Sequence, residues 1–169
     1  MRPDPRDAAE KYLGSVYRAA FSVCGNKEDA EDATQETFIK YIKSKREYES
    51  DEHVKAWLLR AALSCARDIG RSKARRRTMP LEEAADTPVF EDESDGELFK
   101  AVMTLNPKYR EVIHLFYYED YSIRQISKIL KLSESNVKVR LMRGRSMLKA
   151  TLGVSDDEMG EGEEKDGRT

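Results

Sequence analysis

The sequence predicts an all-α protein made of two small helical domains joined by a flexible acidic linker. Three observations carry this. Apolar residues recur at three- and four-residue spacing through most of the chain, and no sustained two-residue alternation of the kind a strand needs interrupts them. The stretch Thr78 to Asp95 loses that period and holds Pro80, Pro88 and many acids, which oppose a packed helix and suit a spacer. Charge is also segregated beneath a net of −2: Arg60 to Arg77 has seven bases against one acid, and Lys128 to Lys149 again has seven against one. Leu81 to Glu97 between them has eight acids and no base. Two basic stripes either side of an acidic spacer suit a protein that holds a polyanion at two places.

Taken in order, residues 6–77 form the first expected domain. Leu13, Val16, Tyr17, Ala20, Phe21 and Cys24 trace an apolar stripe from Arg6 to Cys24. Gly25 then supplies a stop and Asn26 a new N-cap. The second helix opens on Glu28, Asp29, Glu31 and Asp32, favourable at the positive end of a helix dipole, and runs through Phe38, Tyr41 and Ile42 to about Lys45. A polar loop, Tyr48 to Glu52, precedes a third helix from His53 to about Ala74. Val54, Trp57, Leu58, Ala61, Cys65 and Ile69 make its core side, while Arg60, Ser64, Arg67 and Arg71 fall together on another.

Residues 78–95 are the linker, with one helical turn expected near Leu81 to Ala85. In residues 96–152 the helical period resumes with Leu98, Val102 and Leu105. It breaks at Asn106-Pro107, where Pro107 suits a helix start, and continues through Val112, Leu115 and Phe116. Ser122 to Gln125 has capping-box spacing. Ile126, Ile129 and Leu130 follow; Lys131, Leu132 and Ser133 then turn the chain into a last helix buried through Val137, Leu141 and Leu148, with Gly144 permitting close approach. This is helix-turn-helix spacing. Ser135, Lys138, Val139, Met142, Arg143 and Ser146 lie on the outer arc of the last helix, flanked by Arg140 and Arg145. Residues 153–169 form an acidic tail whose composition favours solvated disorder.

Composition also excludes function classes. Hydrophobic residues are 39% and charged residues 37% of the 169. No apolar run approaches the roughly 18 residues of a membrane span, so no membrane insertion is expected. Met1 to Pro5 lacks the apolar stretch of a secretory signal, which makes the cytoplasm the expected location. Cys24 and Cys65 have no partner motif and read as reduced core thiols. The best polar constellation for an enzyme is Asp29, Asp32 and Glu36 on one helix, without His, Cys or a phosphate loop. Neither enzymatic activity nor a metal or cofactor is expected.

At this point the residues resemble the extracytoplasmic-function sigma factors, the smallest members of the RNA polymerase sigma family. Ala30-Glu31-Asp32-Ala33-Thr34-Gln35-Glu36-Thr37-Phe38 resembles the family's region 2.2, and His53 to Arg77, with Ala56-Trp57-Leu58, its regions 2.3 and 2.4. Leu105-Asn106-Pro107 through Glu111-Val112, then Tyr121-Ser122 through Leu148, resembles region 4. The resemblance covers about Ala9 to Leu152.

It implies a transcription initiation factor that binds core RNA polymerase through the clamp helices and flap, and promoter DNA at two elements. Asp32, Gln35, Glu36, Phe38 and Ile42 match the clamp-docking positions. Tyr48, His53, Arg60, Ser64, Arg67 and Arg71 match those that melt the minus-ten element and capture an extruded base. Ser135, Asn136, Lys138, Val139, Arg140, Met142, Arg143 and Arg145 match those facing the minus-thirty-five element. Ser64, Asn136, Val139 and Lys131 depart from the residues usual in the family. An anti-sigma factor is a further implied partner, and an acidic linker threading the nucleic-acid channel is implied too. A helix-turn-helix regulator without sigma activity would explain Tyr121 to Leu148 but leave Asn26 to Arg77 without a role. A helical RNA-binding module would place more aromatics among the basic stripes.

Overall fold

The computed structural model describes residues 1–76 and 96–153, in two compact units. The expected linker, its turn near Leu81 to Ala85, Arg77 and the acidic tail beyond Gly153 lie outside the described residues. The described residues are helical and include no strand, as the periodicity predicts.

The first unit packs α1 (Pro5–Cys24), α2 (Lys27–Lys43) and α3 (Asp51–Arg76) against one another. Asp4 caps α1 by accepting from the Arg6 N–H, with Pro5 in the first turn where a missing N–H costs nothing. Gly25 ends the helix at φ 75°, a left-handed conformation glycine adopts without a Cβ clash. Asn26 then caps α2 by accepting from the Asp29 N–H, 2.9 Å away.

The core is Val16, Ala20 and Phe21 from α1, Ala30, Ala33 and Tyr41 from α2, and Val54, Leu58, Leu59, Ala62 and Leu63 from α3. Small residues on α2 let its neighbours approach closely. Leu13, expected in the stripe, is 50% exposed, and Tyr12 is buried beside its hydroxyl bond to the Asp51 carbonyl, 3.1 Å. That bond satisfies the phenol and admits a residue that hydropathy counting passes over. Trp57 and Ala61 are half-buried rather than core, because α3 turns Leu59, Ala62 and Ala66 inward instead. Asp51 and Glu52, expected in the loop, form the first turn of α3. Both cysteines are free, Cys65 buried and Cys24 half-buried.

The second unit contains α4 (Gly96–Met103), α5 (Pro107–Ile113), a π turn (His114–Tyr118), α6 (Ile123–Leu130) and α7 (Glu134–Leu152). Asn106 and Pro107 open α5 as expected. The π turn was not legible in the sequence, whose period runs unbroken through Val112, Leu115 and Phe116. In the first helix of this unit Ala101 is buried, while Leu98 is 38% exposed. Ser122 and Gln125 complete a reciprocal capping box at 2.9 and 3.1 Å. Lys131 ends α6 at φ 55°, ψ 45°, where its N–H reaches the Ser127 carbonyl. A Cβ on Gly144 would lie 3.2 Å from Ile113 Cδ1 and 3.5 Å from Tyr109 Cβ, so α7 crosses α5 closely at a residue without a side chain.

Candidate polymerase and nucleic-acid interfaces

On α2, burial of Ala30, Ala33, Thr34, Thr37 and Tyr41 turns the opposite side to solvent. Asp32, Gln35 and Glu36 are exposed there, and Ile42 is 58% exposed. Phe38 is half-buried at the margin of this face. Ile39, which the sequence reading omitted, is 48% exposed, and at 100° per residue it stands beside Gln35 and Ile42. Two isoleucines held in water among carboxylates and an amide form a surface suited to an apolar partner helix. Asp29 does not share it. Its side chain is 8% exposed, bonded to Asn26 Nδ2 at 2.9 Å and to Lys73 Nζ at 2.6 Å, so the constellation Asp29, Asp32 and Glu36 is split between core and surface.

On α3, His53, Trp57, Arg60, Ser64, Arg67 and Arg71 share one side by the helix repeat. All are half-buried except Arg71, which is exposed and lies 3.6 Å from Asp68.

Tyr48 corrects an expectation: it is 3% exposed, a core residue rather than a presented ring. It stacks on Tyr41 at 6.0 Å between ring centroids and meets Trp57 edge-on at 6.1 Å and His53 at 5.6 Å. Burial pushes the phenols of Tyr41 and Tyr48 above their ordinary pKa. Loop composition gave no sign of this burial, because the ring partners come from two other elements, α2 and α3. At the other end of the loop, Ser50 Oγ accepts from the His53 N–H, and His53 Nδ1 accepts from the Glu49 N–H.

On α7, Val137, Leu141, Gly144 and Leu148 are buried, as expected. Ser135, Asn136, Lys138, Met142, Arg143 and Ser146 are exposed, with Met142 at 63% and Val139 at 37%. Arg145 is half-buried. Ser133 caps the helix through the Asn136 N–H.

Arg140 departs from the expected phosphate-facing flank. Its Nε donates to Asn136 Oδ1 at 3.0 Å, and its guanidinium lies 4.0 Å from Glu111, a 4%-exposed residue of α5. A buried carboxylate from another helix, invisible to any reading of α7 alone, draws this side chain inward. Asn136 is correspondingly engaged through its carbonyl oxygen.

Comparison with known proteins bears on both units. Residues 8–77 match the family described as Sigma-70 region 2, and residues 95–148 match Sigma-70, region 4. The chain is 30% identical to the ECF RNA polymerase sigma factor SigM of Bacillus subtilis, covering 88% of this chain and 96% of that one. It is 31% identical to the RNA polymerase sigma factor CarQ of Myxococcus xanthus over 73% of this chain and 75% of that one. It is 29% identical to the ECF RNA polymerase sigma factor SigE of Mycolicibacterium smegmatis, of whose length it spans 64%. Among solved structures, the sigma factor RpoE of Bartonella quintana, in complex with the anti-sigma factor NepR, shares the fold. The TM-score is 0.71 at 24% identity, over 89% of this chain and 97% of that one. Among the described residues, no helix is long and apolar enough to cross a membrane. The chain belongs to the extracytoplasmic-function RNA polymerase sigma factors, a family of initiation factors, not enzymes, that direct the polymerase to promoters.

Proposed function

We propose that α2 docks on the polymerase clamp, α3 and the loop before it open the minus-ten element, and α7 reads the minus-thirty-five element in the major groove. The observation that carries this reading is the side of α3 on which His53, Trp57, Arg60, Ser64, Arg67 and Arg71 lie together, away from Leu58 and Ala62 in the core. Aromatic rings beside guanidinium groups hold single-stranded nucleic acid through stacking and phosphate attraction together.

Gln35, Ile39 and Ile42, with Asp32 and Glu36, supply the polymerase contact, and Phe38 supports it from the margin. Ser135, Asn136, Lys138, Val139, Met142 and Arg143 face the bases, while Arg145 meets phosphate. Arg140 supports the reading helix from behind instead. The 78–95 stretch joins residues 6–77 to 96–152. The flap is a second polymerase contact, and an anti-sigma protein the regulatory partner. The site of action is the cytoplasm, where the polymerase works.

Runoff transcription with core polymerase on a promoter-fragment library tests the reading. The expected result is selective initiation that needs both promoter elements and is lost when α3 carries Arg60→Ala with Arg67→Ala. Tight sequence-specific binding by the chain alone, without polymerase and without initiation, would replace this reading with that of a helix-turn-helix regulator.

A further inference from the structure

The segment ahead of α1 is built into the loop between α2 and α3. Met1 and Tyr48 exchange both main-chain hydrogen bonds: the Met1 nitrogen donates to the Tyr48 carbonyl at 2.9 Å, and the Tyr48 N–H donates to the Met1 carbonyl at 2.8 Å. Arg2 Nη2 donates to the carbonyls of Tyr41 and Ile42, 2.9 and 3.2 Å away, in the last turn of α2. Those carbonyls stand at the negative end of the helix, where a cation is favoured. The same guanidinium lies 5.3 Å from the centre of the Tyr41 ring, and the Tyr41 hydroxyl donates to the Pro3 carbonyl at 2.7 Å. Tyr41 is fully buried and stacks on Tyr48, which in turn meets His53 and Trp57 on the basic side of α3.

A continuous set of contacts therefore runs from Arg2 and Pro3 through two buried tyrosines to the residues that begin the basic stripe. Simple stabilisation of α1 needs none of it, since Asp4 and Pro5 already start that helix. The loop it reaches has few anchors of its own. Residues 45–47 and 49–50 are exposed, and Tyr48 is the only buried residue from 45 to 50.

We propose that Arg2 and Pro3 form a positioning strut that fixes the loop before α3, and the first turn of α3 with His53, in a base-capturing shape, so that residues ahead of α1 tune minus-ten specificity. This deepens the reading of α3 given above and rests on it. Arg2 is a positioning residue here: it acts through Tyr41 and Tyr48, and the DNA is met by His53, Trp57 and the arginines.

The test is promoter opening by the full chain with core polymerase, followed by a fluorescent base analogue in the non-template strand, on fragments altered one base at a time across the minus-ten element. Arg2→Ala is expected to flatten discrimination at one position by about tenfold, the scale of one misplaced hydrogen-bond pair, with affinity for core polymerase unchanged. Tyr41→Phe keeps the ring and removes only the bond to Pro3, so it should move the same position by a smaller factor. If Arg2→Ala does not fold, Tyr41→Phe decides alone. An unchanged discrimination profile, or a loss equal on every sequence, overturns the strut and leaves the segment as a stability element. Arg60→Ala with Arg67→Ala, run alongside, distinguishes failure of the strut from failure of the α3 reading. If that double variant opens every fragment as the parent chain does, the reading of α3 has failed and the strut falls with it. If it loses opening while Arg2→Ala and Tyr41→Phe keep the parent profile, only the strut falls.

Discussion

Lys73 Nζ lies 2.6 Å from the buried carboxylate of Asp29, joining the last turns of α3 to the first turn of α2. The pair ties the basic end of the proposed DNA-facing helix to the start of the proposed polymerase-facing one. Lys73 is 45% exposed, so solvent screens its side of the pair, and Lys73→Ala is expected to cost about 1 kcal/mol. For a domain of this size that is a fall of about 5 °C in Tm. Asp29→Ala also removes one of the two acceptors of Asn26 Nδ2 and should cost about 2 kcal/mol. Thermal melts in low and high salt check both: the Lys73→Ala deficit should shrink with salt, and a deficit independent of salt would mean that packing, not charge, is what Lys73 contributes.

The exposed isoleucines of α2 separate docking from folding. Ile42→Ala and Ile39→Ala remove side chains already about half in water, so each should change folding stability by less than about 1 kcal/mol. Each should still weaken core polymerase binding by about tenfold, as loss of an apolar anchor in a groove does. Phe38→Ala should lower both, because its ring is half-buried. Pull-down against core polymerase beside circular dichroism measures the split. Loss of helix content with Ile42→Ala would show a packing role that its exposure does not account for.

Lys131 pays a backbone cost that glycine would not. At φ 55° its Cβ crowds the backbone, and Lys131→Gly should stabilise the second unit by about 1 kcal/mol, since αL residues are strained by that amount. Chemical denaturation of the full chain, with the α6–α7 transition followed separately, tests the sign. A destabilised Lys131→Gly would mean that the greater freedom of glycine in the unfolded chain outweighs the relieved strain.

Much of this architecture was legible because local chemistry sets it. Gly25, Asn26, Pro107, Ser122 with Gln125, and Ser133 each act within a few residues of themselves, and each occupies the turn or cap that its chemistry suits. Gly144 was legible for a different reason, a gap in an apolar stripe. What stayed hidden depends on a second element. Tyr12 displaces Leu13 from the core because the Asp51 carbonyl on α3 satisfies its hydroxyl. Tyr48 is buried by rings from α2 and α3, and Ile39 lies outside because small residues, not large ones, carry the packing of α2. Arg2 had no visible role, since its acceptors are carbonyls, which carry no signature in a sequence.

Arg140 and Arg143 are three residues apart on α7 and should fail in different ways. Arg143 is exposed on the outer arc with Lys138 and Met142, so if Lys138 or Arg143 donates to guanine edges its change to Ala should cost roughly 1 to 3 kcal/mol and relax preference at one upstream base. Arg145 flanks that arc, and Arg145→Ala should weaken every upstream sequence equally while lowering the salt slope by about one unit, the release of counterion from one phosphate contact. Arg140 belongs to neither class. Held by Asn136 and beside the buried Glu111, it ties α7 to α5, and Arg140→Ala should cost about 1 kcal/mol of folding stability with little change in salt slope. The variants are measured with core polymerase on single-base upstream fragments at several salt concentrations, beside thermal melts. An Arg140→Ala chain that melts like the parent but loses a unit of salt slope would return Arg140 to the phosphate-facing flank and show that its contact with Glu111 gives way when DNA is bound.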